Sequence, residues 1–114
     1  MMNTLVPRLG AVSRVAFLMV IAGAALGAGA QQPVEAVYKA NCAMCHGAAG
    51  DANTPAGKNF KVPSFSSDAV LKESDADLLA IEKNGKGKMP AWHDKLSDGQ
   101  LKDLVGYIHT LQKK

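Results

Sequence analysis

"NCAMCHGAAG", residues 41–50, contains both cysteines of this 114-residue chain, Cys42 and Cys45, with His46 directly after the second. Three chemistries use such a motif. It is a redox or structural disulfide, part of a metal site, or the attachment box of a c-type haem, in which each thiol adds to a vinyl group and the adjoining imidazole coordinates iron. The choice decides the fold, because only the last puts a large apolar body inside the domain.

The remainder of the chain weighs the three. A thioredoxin-like pair opens a helix after a strand in a βαβ pattern, and nothing here alternates with period two long enough to argue for a strand. A Cys42–Cys45 disulfide closes a very small loop and removes little entropy from the unfolded chain. Structural zinc needs four ligands, and beyond the motif only His93 and His109 remain as obvious nitrogen donors. Cysteines three apart at a helical end lie near one another on one face, within reach of two adjacent vinyl groups, and the next residue turns its ring beneath the macrocycle. Haem attachment is the favoured reading.

Composition sharpens it. Arg8 and Arg14 precede the apolar run "VAFLMVIAGAAL" at residues 15–26, and Ala28-Gly29-Ala30 closes it. That is the order of a secretory signal peptide, expected over residues 1–30 with cleavage before Gln31 and export to the periplasm. The alternative, a membrane anchor, asks for about 20 apolar residues. Of the 114 residues, 84 would remain as residues 31–114, with 11 lysines, no arginine and 10 acidic residues. Such a balance excludes the clustered basic face of a nucleic-acid binder. A domain of this size buries a modest core and needs a cofactor, metal or disulfide to complete it.

The coarse pattern is helical, with three main helices expected. Pro33, Val34, Val37, Tyr38 and Asn41/Cys42 follow helical spacing and predict a helix over 33–44 that delivers the cysteines near its end. Residues 47–67, rich in Gly, Ala, Pro and Ser, read as a long loop without regular structure, which needs an object to wrap. Ser74 and Asp77 start a second helix over 75–84 that stops at Asn84-Gly85, with a short helical turn near 68–72 before it. Ser97 and Gln100 form a capping box for a third over 97–112, whose Leu101, Leu104, Val105, Ile108 and Leu111 recur at intervals of three and four.

"YKANCAMCHG", "GKGKMPAWHDKLSDGQ" and "LVGYI" resemble the first helix and haem box, the distal segment and the last helix of class I cytochromes c. The resemblance covers essentially the whole of residues 31–114. It implies a small all-α cytochrome c-like fold around one covalent haem c, with Leu104 and Tyr107 of the last helix packed on Tyr38. It also implies Cys42 and Cys45 as thioether attachments, His46 as proximal iron ligand and Met89 as distal ligand. Pro55 resembles the loop proline whose carbonyl orients the proximal imidazole, with Pro63 as rival. Trp92 is expected along the haem edge or in the core. His93 competes with Met89 as a bis-His alternative, and His109 reads as a helix-surface residue.

Two axial ligands leave no open coordination position, so the expected function is one-electron transfer, not catalysis; a soft thioether donor favours Fe(II). The reading is a soluble periplasmic shuttle between a dehydrogenase or respiratory complex and a terminal oxidase or reductase. The alternatives are a dedicated subunit of one periplasmic oxidoreductase, or a small haem peroxidase or gas sensor. Lys83, Lys86 and Lys88, with Lys58 and Lys61, form either a positive rim that steers transient acidic redox partners or an ordinary solvated face.

Overall fold

The computed structural model describes Gly10 and residues 31–112. The expected leader, apart from Gly10, and its cleavage point lie outside the described residues. Among the described residues six helices follow in order: α1 Val34–Asn41, α2 Ala43–His46, α3 Pro55–Asn59, α4 Asp68–Leu71, α5 Asp75–Asn84 and α6 Asp98–Gln112. Among the described residues there is no strand, only an isolated bridge between Lys86 and Met89. The expected all-α fold is the one observed.

Local chemistry explains most boundaries. Asp77 N–H donates to Ser74 Oγ at 3.1 Å while Ser74 N–H donates to Asp77 Oδ2 at 3.2 Å, so both halves of the box that starts α5 are made, although Asp is shorter than the usual Glu. At α6, Ser97 N–H donates to Gln100 Oε1 at 2.9 Å and Gln100 N–H to Ser97 Oγ at 3.2 Å. Ser97 is thus the cap and not the first residue of the helix. Gly85 ends α5 at φ 76°, a left-handed value that glycine adopts without strain.

Two expectations need correction. The single helix over 33–44 is two helices, because Cys42 swings to φ −119° between them. The Asn41 side-chain amide donates to the Val37 carbonyl at 2.8 Å and competes for that helical acceptor, which favours a break at this point. Residues 47–67 are also not wholly irregular. Thr54 accepts from the Gly57 N–H at 2.9 Å and Pro55 occupies the first turn, which together start α3. The expected turn near 68–72 is α4.

The core is the crossing of α1 with α6. Tyr38 and Leu101 are the largest fully buried side chains, and Val37, Phe65, Leu104, Ile108 and Leu111 complete the cluster. The Tyr38 and Tyr107 rings sit 5.0 Å apart, and Leu104 joins the same cluster, as the resemblance implied. Helix α6 is also tied to α5, where His109 Nε2 lies 2.6 Å from Asp75 Oδ1. His109, expected on the helix surface, keeps 39 % of its side chain exposed and makes this tie.

Candidate functional site

One cavity of about 380 Å³ opens beside this crossing. Its wall brings together Cys42 from the break between α1 and α2, Cys45 and His46 from α2, Met89 and Trp92 from the stretch after α5, and Leu101, Leu104 and Ile108 from α6. The size lies in the range of small-molecule and cofactor sites, and the lining is mostly apolar with few polar groups.

Cys42 and Cys45 are not joined to each other in the structure. Cys42 is half-buried, and its thiol is pushed up to about 12, by burial first and then by the neighbouring charges of Glu82 and Cys45. Among the described residues no group of three His, Cys, Asp or Glu side chains converges on a point where an ion would sit.

His46 faces the cavity with its ring stacked on Phe65, centroids 4.7 Å apart and planes at 21°. Burial holds its imidazole below the ordinary range, so the neutral form that binds metals is favoured. Its Nδ1 is buried and has no hydrogen-bond partner. A buried ring nitrogen without a partner costs free energy unless something else satisfies the ring. Two thiols, a neutral imidazole and an apolar hollow at one place suit a covalently attached porphyrin with its iron. The residues present fit haem.

Met89 is delivered by a tight turn. Lys86 and Met89 exchange backbone hydrogen bonds of 3.1 and 2.9 Å, and the left-handed Gly85 packs where a side chain would strike the Met89 carbonyl. Past the turn, the Trp92 N–H donates to the Glu82 carbonyl at 3.0 Å and folds the segment back on α5. Trp92 therefore lines the cavity, and Lys95 Nζ lies over its ring, 5.1 Å from the centre.

The competing donors lie elsewhere. His93 is exposed, its Nδ1 2.8 Å from the Lys83 carbonyl and its Nε2 3.1 Å from Asp94 Oδ2, and it takes no part in the cavity wall. Met44 is 78 % exposed. Pro55 is held at the start of α3 and does not line the cavity, whereas Pro63 does; neither bonds to His46. Of the lysines, Lys61, Lys86 and Lys88 lie at the cavity rim, while Lys83 is paired with Asp98 at 3.1 Å.

Three contributors escaped the sequence reading. Phe65 supports the His46 ring, and its only sequence mark is being apolar in a polar loop. Gly57 is buried where a Cβ would meet the Ala52 and Cys45 carbonyls, so a glycine allows α3 to close on α2. Glu82, in a helix otherwise polar outside and apolar inside, is buried in the cavity wall.

With this geometry in place, the comparisons with known proteins agree. Residues 29–108 match the family model "Cytochrome C oxidase, cbb3-type, subunit III". The subunit CcoP of a cbb3-type cytochrome c oxidase from Azospirillum brasilense is 35% identical over 86 residues, which is 74% of this chain and 29% of that protein. This chain therefore spans less than a third of the length of that relative. Cytochrome c6 from Bryopsis maxima is 37% identical over 78 residues, 63% of this chain and 81% of the relative. Among solved structures, the "KustC0563 c-type cytochrome" superposes with a TM-score of 0.65 at 23% identity, covering 71% of this chain and 99% of that one, a likeness of fold.

Proposed function

This chain belongs to the c-type cytochrome family, and from that premise we propose that it is a periplasmic one-electron shuttle with His46 and Met89 as axial ligands. Family members carry covalent haem c and serve electron transfer, and the single Cys-x-x-Cys-His motif provides for one such group. The observation that carries the finer reading is the convergence of Cys42, Cys45, His46 and Met89 on one cavity wall while His93 and Met44 stay outside it.

When bound, the haem iron supplies a one-electron couple, and a thioether ligand raises its potential relative to bis-His ligation. What the chain contributes is positioning and exclusion of water. Cys42 and Cys45 anchor the group, and the Phe65 stack holds the His46 ring in one plane. The Gly85 turn fixes Met89, and α6 supplies the apolar floor. A rigid shell of this kind keeps reorganisation on electron exchange small. Residues 1–30 serve as the export signal that takes the chain to the periplasm, where the thiols are matured. Lys86 and Lys88, exposed at the rim, steer transient acidic redox partners, with Lys83 available when its pair with Asp98 opens.

The match to an oxidase subunit supports a second reading, in which the chain is a dedicated electron-transfer subunit of one oxidoreductase. Gel filtration of an extract of the native host separates the two: elution at the mass of a single chain supports the shuttle, and co-elution with an oxidoreductase supports the subunit.

The test of the site is expression in a host with c-type maturation, denaturing electrophoresis with haem staining, and ferric and ferrous optical spectra. Haem that stays with the chain, with the weak long-wavelength sulfur-to-iron band in the ferric form, is the expected result. Covalent haem without that band overturns Met89 ligation. Rapid CO binding by the ferrous form at neutral pH would instead favour a sensor or peroxidase.

A further inference from the structure

Glu82 is the only charged side chain buried in the described residues, 6 % exposed, and it lines the same cavity as Cys42, His46 and Met89. Its Oε2 is buried without a hydrogen-bond partner. Nothing in the helix requires this, since the adjacent positions of α5 that reach the cavity, Leu78 and Ile81, are apolar. An unpartnered carboxyl on an apolar wall is costly to keep and serves packing worse than leucine would. We propose that Glu82 is the proton acceptor coupled to electron uptake, its carboxylate taking a proton from solvent as the cofactor in this cavity is reduced. The inference rests on the haem reading given above.

The surroundings leave Glu82 responsive to charge. No cation pairs with it: its chain neighbour Lys83 is engaged by Asp98 at 3.1 Å. Helix α6 presents only apolar Leu101, Leu104 and Ile108 to the cavity. From the break between α1 and α2 and from α2 come Cys42, Cys45 and His46, whose protons are lost or fixed once thioethers and a ligated imidazole form. Tyr38, Lys61, Glu73, Lys86 and Lys88 complete the titratable groups of the wall; the Tyr38 hydroxyl, raised by burial, donates to the Gly47 carbonyl, Glu73 is half-buried and the three lysines are exposed at the rim. Burial alone holds the Glu82 carboxyl up to about 8, close to neutral pH. Cys42 feels its charge, which places the carboxyl near the attachment box.

The step balances simply. One electron arrives from the donor protein and takes iron from ferric to ferrous; one proton arrives from water and forms an O–H bond on Glu82. The cavity gains no net charge. Linkage is reciprocal: added negative charge strengthens proton binding at Glu82, and the bound proton favours reduction to the same extent.

The experiment is a spectroelectrochemical titration of the haem-loaded protein from about pH 5 to about pH 9, beside Glu82→Gln. The unmodified protein is expected to lose potential as pH rises through the carboxyl's range, with a slope approaching 59 mV for each tenfold fall in proton activity, the value for one electron. Glu82→Gln keeps the shape without the titratable proton and is expected to flatten that segment. The same slope in Glu82→Gln overturns the proposal, because the proton then goes elsewhere, and so does a flat profile in the unmodified protein. Should Glu82→Gln fail to mature, redox-difference infrared spectroscopy of the unmodified protein decides. A protonated carboxyl C=O band that appears on reduction and shifts in heavy water supports the proposal; its absence overturns it. Covalent haem in the same samples keeps the two questions apart, since its loss would overturn the carrier reading, whereas a flat profile with haem in place overturns only the proton coupling.

Discussion

Tyr38 and Tyr107 meet with ring centroids 5.0 Å apart and planes tilted by 56°, and this contact locks α1 across α6. The Tyr38 hydroxyl, buried, donates to the Gly47 carbonyl at 2.6 Å. One side chain therefore holds both the helix crossing and the start of the loop beyond His46, which links core packing directly to the placement of the Cys-x-x-Cys-His motif.

Tyr38→Phe keeps the ring and strands the Gly47 carbonyl, so it is expected to cost about 1–3 kcal/mol. Tyr38→Ala also opens a hole in the crossing and is expected to cost about 3–5 kcal/mol. Guanidinium unfolding of the haem-loaded proteins checks both values. Equal losses for the two variants would mean that the hydroxyl, not the ring, carries the contact.

Gly57→Ala adds one methyl where the Ala52 and Cys45 carbonyls already close in. The backbone cannot yield as a flexible side chain would, so a loss of about 1–3 kcal/mol is expected from overpacking. Because Cys45 lies on one side of the contact, the yield of covalent haem should fall together with the unfolding midpoint. A full yield at unchanged stability would show that α3 moves freely against α2.

Met89→Ala is expected to abolish the long-wavelength ferric band and to open the ferrous iron to CO, whereas His93→Ala, whose ring is held by Lys83 and Asp94 outside the cavity, should leave both properties unchanged. Absorption spectra of the two variants settle the comparison. A bis-His spectrum that His93→Ala destroys would reverse the assignment.

The sequence carried this architecture unevenly, for physical reasons. Helices α5 and α6 were legible because their caps are local: Ser74 with Asp77 and Ser97 with Gln100 satisfy each other within four residues, and the apolar stripe of α6 repeats over nearly its whole length. Helix α3 was missed although Thr54-Pro55 is a start signal, because the Gly and Ala around it give no periodicity. The break at Cys42 depends on an Asn41 side chain taking a backbone acceptor, which spacing does not reveal. Motif and resemblance name Cys42, Cys45, His46 and Met89, and the structure brings them to one wall. Glu82 could not be found that way. In "DLLAIEKN" it reads as one more charge on a solvated face, and only the packing of α5 against the rest turns it inward.

That inward turn has a consequence for stability. The Glu82 carboxyl is raised from 4.5 to about 8 by burial, so the folded protein binds a proton there that the unfolded chain releases at lower pH. The stability Glu82 contributes is fully present below its unfolded value and is lost as pH rises from about 4.5 towards 8. At about 1.4 kcal/mol per unit, the effect is of the order of a few kcal/mol. Unfolding midpoints of the ferric protein across this window, measured beside Glu82→Gln, isolate the effect. The variant should lose the decline towards alkaline pH and be the more stable of the pair above pH 8. Parallel curves for the two proteins would mean that Glu82 is solvated in the haem-loaded state and titrates as an ordinary carboxylate.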